Sequence, residues 1–278
     1  RQALAKALAA SQRAAAGVGP PLLVCFYSAG LDRAQGRSLL GKVLRSASAA
    51  GLADPLVLDH YTDEAFGGCA DFDAYVTALV CIIDSDPARA GRPILLCAHS
   101  HGAVAAYGVA RRLGKRVRLL SVLARRPPSM PLLPDVWGVS TTTEFAKLER
   151  AAVLGGLARA YRSPMLLPHA EAAEALWPAA VKQTVDAVVP LYTSSLALCS
   201  HDDIATALGS TPPPIVAPVF AIAATREVAE GETAEKMQGW AALTSDSFTL
   251  RQVEADHMGL ALSREAHDQI IEALTRYL

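Results

Sequence analysis

Short, mostly apolar segments recur along the chain, and turn-forming or charged residues separate them. Apolar runs of this length are typical of strands that are buried on both faces, as in a parallel sheet. The pattern predicts strands at Leu22–Phe26, Pro55–Leu58, Pro93–Ala98, Val117–Leu123, Val219–Ala224 and Phe248–Val253.

Between several of these segments, apolar residues recur at the three- and four-residue spacing of one helix face. The clearest example is Asp71–Asp84, where Phe72, Tyr75, Val76 and Leu79 share a face. The alternation of strand, helix and strand predicts an α/β fold with a mostly parallel central sheet. The other predicted helices are Arg37–Ala50, Ala103–Leu113 and Arg264–Leu278.

The pattern changes between about Pro127 and Pro214, where Pro-rich breaks separate helical stretches. No segment there has the pattern of a strand. Helices are predicted near Thr143–Tyr161 and over Glu171–Leu198. We interpret this part of the chain as a helical insertion over the sheet.

The length of 278 residues fits one large α/β domain with such an insertion. We assign the domain to residues 21–278 and a helical lid to about residues 134–200. Residues 1–20 are rich in Ala with Arg and Lys. We interpret them as a lead-in helix or linker rather than the remnant of a targeting segment.

Composition and charge narrow the function classes. The chain carries 26 Lys and Arg against 27 Asp and Glu, and a net charge of −1 makes nucleic acid a poor candidate for the partner. No apolar run approaches the roughly 20 residues that a membrane span needs. The five cysteines are odd in number and widely spaced, without a zinc motif. We therefore expect a reducing, cytoplasmic location.

The strongest chemical signal follows the predicted strand Pro93–Ala98. The sequence reads Ala98-His99-Ser100-His101-Gly102 and continues into a predicted helix. Small residues two positions before and after a serine are typical of the nucleophile elbow, a tight turn that strains the serine backbone and exposes its hydroxyl. The turn also puts the serine at a helix N-terminus, which favours negative charge. Ser100 is therefore the candidate nucleophile.

A serine hydroxyl needs a base to accept its proton, and the base needs a carboxylate to orient it. In folds with this elbow, the chain order is serine, acid and histidine. His257 follows the last predicted strand and is the candidate base, and Glu227 follows the preceding strand and is the candidate acid. Glu230 and Glu232 are alternatives for the acid. Asp256 is too close in sequence to His257 to orient it easily.

Two backbone N–H groups are expected to bind the oxyanion that forms during attack on a carbonyl. One belongs to His101, directly after the nucleophile, and the other belongs to Ala29, in the loop after the first strand. Tyr27 and Ser28 line the same loop and are candidate substrate-binding residues.

No catalytic role is predicted for the side chains of the other histidines. His99 is expected to pack beside the sheet and the His101 side chain to project near an acyl pocket; no third ligand accompanies this pair, so no metal site is predicted. His267 is expected on the surface of the terminal helix. Three more histidines are expected on the surface or in the lid: His60, His169 and His201.

The order and spacing of several motifs resemble the type II thioesterases of polyketide and non-ribosomal peptide synthesis, over about residues 20–278. That family typically reads FPxAGG, GHSMGA, SxRRAP, GxxDP and GGHFxL. The chain departs from these motifs at Tyr27, Ala98 and Glu227, where the family has Pro, Gly and Asp. The corresponding segments are Phe26–Leu31 (FYSAGL), Ala98–Ala103 (AHSHGA), Ser121–Pro128 (SVLARRPP), Ala224–Glu227 (ATRE) and Ala255–Leu260 (ADHMGL).

The resemblance implies an α/β-hydrolase fold, a Ser-His-acid triad and no cofactor. It implies hydrolysis of an acyl thioester, carried on the phosphopantetheine arm of an acyl carrier protein as the partner. Two alternatives stay open. One is a carboxylesterase or chain-releasing cyclase of the same fold. The other is a binding module that has lost catalysis, which the departures at Ala98 and Glu227 suggest.

Overall fold

The centre of the molecule is a parallel sheet of six strands in the order β2-β1-β3-β4-β5-β6. The computed structural model describes residues 19–29, 31, 33–49, 51, 53–58, 66, 69–130, 137–139, 142–145, 147–161, 166–187, 204, 212–227 and 231–277. All the predicted strands are present, and the α/β class is confirmed. The strands are β1 (Leu22–Phe26), β2 (Asp54–Val57), β3 (Ile94–His99), β4 (Val117–Leu123), β5 (Val219–Ala224) and β6 (Phe248–Val253).

Helices and short 3₁₀ turns connect the strands. The α-helices are α1 (Arg33–Ala49), α2 (Phe72–Asp84), α3 (Gly102–Leu113), α4 (Thr142–Phe145), α5 (Arg150–Tyr161), α6 (179–187), α7 (Ala234–Met237), α8 (His257–Leu262) and α9 (Arg264–Arg276). The 3₁₀ helices are Gly114–Arg116, Leu167–His169, Glu174–Leu176 and Gln238–Leu243. No helix in the described part of the chain is long and apolar enough to cross a membrane.

The sheet is buried on both faces, which explains its continuous apolar strands. Alternate residues of β1 enter different clusters: Val24 and Phe26 pack with α2 and α3 on one face, whereas Leu23 and Cys25 pack with α1 and α9 on the other. The strands β1, β3 and β5 are therefore buried at every position rather than at every second one, whereas β6 at the edge of the sheet exposes Arg251 and Gln252.

Both helices predicted in the insertion are interrupted in the structure, so the prediction of two continuous helices is wrong. The helix expected near Thr143–Tyr161 is interrupted at residues 147–149. The helix expected over Glu171–Leu198 begins as a 3₁₀ turn and restarts only at residue 179, because Pro178 pushes Trp177 into an extended conformation with ψ 137°. The rest of that prediction, residues 188–198, lies outside the described residues.

The insertion has its own apolar cluster, and that cluster reaches the loop after β1. Phe145 and Leu154 pack there with both insertion tryptophans, Trp137 and Trp177, and Ala29 belongs to the same cluster. α5 also contacts α8. The insertion is therefore anchored where the carboxyl ends of the central strands emerge.

The strand order reverses direction between β1 and β3. The chain passes from β1 outward to β2 and then returns to the other side of β1 to form β3. In open parallel sheets, ligands bind outside the carboxyl ends of the strands at such a switch point. Ser28 and Ala29 follow β1, and Ser100 follows β3, so both segments lie at this crevice.

Candidate active site

Ser100 occupies a strained turn between β3 and α3. Its φ of 53° lies in the left-handed region that few non-glycine residues adopt. Its N–H extends the sheet by donating to the Leu123 carbonyl at 2.9 Å, and its own carbonyl accepts from Ala103 N–H at 3.0 Å. Ser100 thus lies in the tight turn that links the end of β3 to the start of α3, as the predicted elbow requires.

Gly102 allows this turn to lie against the end of β1. A Cβ atom at Gly102 would lie 2.5 Å from the Tyr27 carbonyl oxygen and 2.9 Å from backbone atoms of Phe26. Backbone atoms cannot move aside as a flexible side chain can. The small residue two positions after the serine is therefore required by close packing of α3 on the end of β1.

The structure brings Ser100, His257 and Glu227 together by hydrogen bonds. Ser100 Oγ lies 2.8 Å from His257 Nε2, and His257 Nδ1 lies 2.8 Å from Glu227 Oε2. Only 1% of each of the His257 and Glu227 side chains is exposed. A carboxylate can only accept, so Nδ1 carries the proton and Nε2 is left to accept from the Ser100 hydroxyl.

Glu227 reaches His257 because two loops run side by side after β5 and β6. Thr225 N–H donates to the Val253 carbonyl at 2.9 Å, and Arg226 N–H donates to the Ala255 carbonyl at 3.0 Å. These bonds continue the pairing of the strands beyond their ends. The acid and the histidine therefore leave adjacent, hydrogen-bonded backbones.

Two of the other acids that the sequence offered have different roles in the structure. Glu232 is fully buried and pairs with Arg125 at 3.2 Å and with the Arg126 side chain at 3.0 Å. Asp256 caps α8, accepting from Gly259 N–H at 2.7 Å. Glu230 lies outside the described residues.

A second hydrogen-bonded path reaches His257 from its backbone side. His99 Nε2 lies 2.9 Å from the His257 carbonyl oxygen, and His99 Nδ1 is hydrogen-bonded to the Ser28 hydroxyl. Burial lowers the pKa of His99 to about 3, and the nearby His257 lowers it as well, against the effect of the bond to the His257 backbone. His99 is therefore neutral. Sequence reasoning missed this path, since the residues are far apart along the chain and meet only at the switch point.

The predicted oxyanion and substrate residues lie at the same crevice. Ala29 and His101 are both buried, and His101 is the N-cap residue of α3. Tyr27 is buried on the α1 face, where its ring packs against Gly36, and Ser28 is bonded to His99. The contact of Tyr27 and Ser28 with a substrate stays a prediction.

One prediction about the other histidines is wrong. His267 is buried rather than on the surface, because the face of α9 that carries it packs on the sheet. Its Nε2–H donates to the Ala261 carbonyl at 2.6 Å, and burial lowers its pKa. His169 is partly buried in the insertion, and His60 and His201 lie outside the described residues.

Cys25 and Cys97 are free thiols in the core, and they are paired in register on β1 and β3. The other free thiols described are Cys69 and Cys81. Within the described ranges, no group of three or more His, Cys, Asp or Glu residues is arranged to hold a metal ion.

Solved structures resemble the whole of this fold, whereas no protein-family model and no curated protein matches the chain. RedJ, a thioesterase from the prodiginine biosynthetic pathway of Streptomyces coelicolor, matches with a TM-score of 0.67 at 20% identity, over 94% of this chain and 93% of that chain. The type II thioesterase BorB from the borrelidin biosynthetic cluster matches with 0.59 at 19% identity, over 92% of each. An enol-lactonase from Burkholderia xenovorans matches with 0.60 at 16% identity, over 93% and 91%.

Likeness at these identities establishes architecture rather than substrate. The similar structures cover nearly the whole chain and share its parallel sheet with flanking helices. The chain therefore has the α/β-hydrolase fold, with Ser100 at the turn after the central strand β3.

Proposed function

We propose that the chain is a serine hydrolase that cleaves acyl thioesters. The observation that carries this proposal is the hydrogen-bonded series from Ser100 through His257 to Glu227, with 2.8 Å at each bond. Ser100 itself has the positive φ of a nucleophile elbow. A nucleophile, a base and an orienting carboxylate within hydrogen-bond reach are the groups that acyl transfer needs.

In the proposed reaction, Ser100 Oγ attacks the thioester carbonyl carbon while His257 Nε2 accepts the hydroxyl proton. Collapse of the tetrahedral intermediate breaks the carbon–sulfur bond, and the imidazolium returns its proton to the leaving thiolate. Water then attacks the acyl-enzyme with His257 again as base. The ester bond to Ser100 Oγ breaks, the carboxylic acid is released, and the imidazolium returns the proton to Ser100. Glu227 orients the ring and stabilises its charged form. The N–H groups of Ala29 and His101 bind the oxyanion.

The thioester substrate is supported by the sequence motifs and by the similar structures. RedJ and BorB are named as thioesterases, and YbtT, with a TM-score of 0.61 at 14% identity, is named as a type II thioesterase of the yersiniabactin NRPS/PKS pathway. We infer that the acyl group is carried on the phosphopantetheine arm of an acyl carrier protein. Such a substrate would place the enzyme in the cytoplasm.

The helical insertion is proposed to form a lid over this site. Its apolar cluster includes Ala29, and α5 contacts α8, which begins with His257. A lid that packs on the loop carrying Ala29 and on α8 would shield the acyl-enzyme from bulk water. We assign it to about residues 134–200, within a domain that spans residues 21–278.

The test is thiol release from acyl-pantetheine and short acyl-CoA substrates by wild type and Ser100→Ala. We expect the variant to lose about 10⁴-fold or more in kcat. The matched control is Ser121→Ala, because Ser121 is a buried serine of β4 whose hydroxyl has no hydrogen-bond partner among the described residues. Undiminished thiol release by Ser100→Ala would refute the assignment. A folded wild type that a fluorophosphonate does not label would instead favour a binding module.

Ester hydrolysis is a second candidate, because the similar structures include an enol-lactonase and an esterase from Thermogutta terrifontis with TM-scores of 0.60 and 0.55. The same three residues would serve an alkoxide leaving group. Comparing kcat/KM for a p-nitrophenyl ester and for a thioester of the same acyl chain separates the two. A preference for the ester would replace the thioesterase proposal, and a cyclic product would indicate chain-releasing cyclisation.

A further inference from the structure

Three elements converge on a hydrogen-bonded bridge that the proposed reaction does not use directly. Ser28 follows β1, His99 ends β3 and His257 begins α8. The Ser28 hydroxyl bonds His99 Nδ1, and His99 Nε2 bonds the His257 carbonyl oxygen at 2.9 Å. Ser28 is 2% exposed and the other two residues 1% or less, so bulk water does not compete for these bonds.

The chemistry of the partners sets the direction of both bonds. A backbone carbonyl only accepts, so His99 Nε2 must carry a proton and donate it to His257. Nδ1 of the neutral ring then has only a lone pair, and it accepts the proton of the Ser28 hydroxyl. The His257 carbonyl therefore selects this tautomer of His99, and the Ser28 hydroxyl supports it by donating to the ring nitrogen that is left without a proton.

The neutrality of His99 matters because its ring lies beside the proposed base. The ring centroids of His99 and His257 are 5.1 Å apart. Two positive imidazolium rings at this separation in a buried site would repel each other. Burial favours the neutral ring of His99, and the Ser28 hydroxyl donates to the Nδ1 lone pair of that neutral ring. The bridge thus leaves His257 free to become positive during the reaction.

We propose that Ser28 and His99 are positioning residues that fix the His257 backbone relative to the loop carrying Ala29. This inference rests on the proposed function, because it assigns His257 as the base and Ala29 as an oxyanion donor. The bridge joins the two loops across the switch point. It thereby sets the spacing between the group that moves the proton and the group that meets the developing negative charge.

The first test is spectroscopic and does not depend on activity. Nitrogen-15 correlation spectra of the histidine side chains distinguish the two neutral tautomers and the charged ring. We expect His99 to be neutral with its proton on Nε2 in wild type at pH 7. Ser28→Ala should shift it toward a mixture of states, while Ser121→Ala should not. A His99 with its proton on Nδ1 in wild type would overturn the bridge, whatever the activity of the protein.

The second test is kinetic and uses the same variants. Misplacement of a reacting group by about 1 Å can cost about 100-fold, so we expect Ser28→Ala to lower kcat by about 10- to 100-fold. KM for the acyl-pantetheine should change less than kcat if Ser28 acts through His257 rather than by binding the acyl group. Ser28→Thr, which keeps the hydroxyl, should recover most of kcat. Ser121→Ala should keep wild-type kcat.

The outcomes separate this inference from the proposed function. Activity that is lost in Ser100→Ala but unchanged in a folded Ser28→Ala would overturn the positioning role and leave the hydrolase assignment standing. A higher KM with an unchanged kcat would also overturn it, since that result indicates a substrate contact for Ser28. Activity that survives in Ser100→Ala would overturn the proposed function, while the tautomer of His99 would still test the bridge.

Discussion

At the scale of single residues, Glu227 stands where the motif that this chain resembles has Asp. A Glu side chain is one methylene longer than Asp, yet Oε2 lies 2.8 Å from His257 Nδ1. The acid leaves a loop whose Arg226 N–H donates to the Ala255 carbonyl of the neighbouring loop. The longer acid is therefore compatible with an oriented base.

The hydrogen bond between Glu227 and His257 allows the role of the Glu227 charge to be tested by substitution. We expect Glu227→Gln to lower kcat by about 10³- to 10⁴-fold with little change in KM, because the amide cannot stabilise the imidazolium as a carboxylate does. Glu227→Asp should have a smaller effect. The matched control is Glu235→Gln, since Glu235 is exposed on α7. Steady-state thioester hydrolysis measures all three, and wild-type kcat in Glu227→Gln would exclude it as the acid.

A residue's role could be predicted from the sequence where the pattern that indicates it lies within one short segment of the chain. The Ser100 turn was predictable because one short segment contains its strand, turn and helix. His257 and Glu227 were predictable because each directly follows a strand, and the strand ends meet at one edge. The Ser28–His99 contact has no local pattern, since it depends on β1 and β3 being neighbours and on the tautomer of a buried ring.

At the scale of elements, the close approach of α3 to the end of β1 holds the site together. Gly102 allows α3 to approach the β1 backbone. A second glycine, Gly36, allows α1 to approach the residue after β1, because a Cβ at Gly36 would lie 2.3 Å from the Tyr27 ring. α1 begins at Arg33 rather than at the predicted Arg37, so the helix includes Gly36. Its low helix propensity is outweighed by tertiary packing.

Gly102→Ala tests the strand–helix contact. The new methyl group would overlap the Tyr27 carbonyl, so we expect a loss of about 1–3 kcal/mol in the free energy of unfolding. kcat should fall as well, because Ser100 and the loop after β1 must separate. Thermal melting and thioester hydrolysis measure the two effects. Gly19→Ala is the control, since its Cβ meets only a side chain at 3.5 Å. Unchanged stability and kcat in Gly102→Ala would contradict this account.

At the scale of the whole molecule, several ionisable residues outside the proposed triad are buried in the interior. Glu232 joins Arg125 and Arg126 as a buried ion cluster between the segments after β4 and β5. His99 and His267 are buried as well, and burial lowers the pKa of each. The amino-acid composition shows only that the net charge of the whole chain is near zero. It could not reveal which charged groups the fold removes from water.

The buried histidines predict how stability depends on pH. In the unfolded chain, His99 has a pKa of about 6.5, whereas in the folded protein burial lowers its pKa to about 3. Below about pH 6.5 the unfolded chain therefore binds a proton that the folded chain does not. The stabilising contribution of neutral His99 is complete above that pH and declines as the pH falls toward 3. His267, whose pKa is also lowered, contributes in the same direction.

Urea unfolding at pH 7 and pH 5 measures this dependence. For His99 alone, the linkage relation gives a loss of about 2 kcal/mol between these pH values. Wild type should therefore lose more free energy of unfolding over this interval than His99→Gln, in which the titrating ring is absent. His169→Gln should behave like wild type, because that histidine is only partly buried. An equal loss in wild type and His99→Gln, or a His99 ring that titrates near pH 6.5 in the folded protein, would contradict the assignment of a neutral, buried His99.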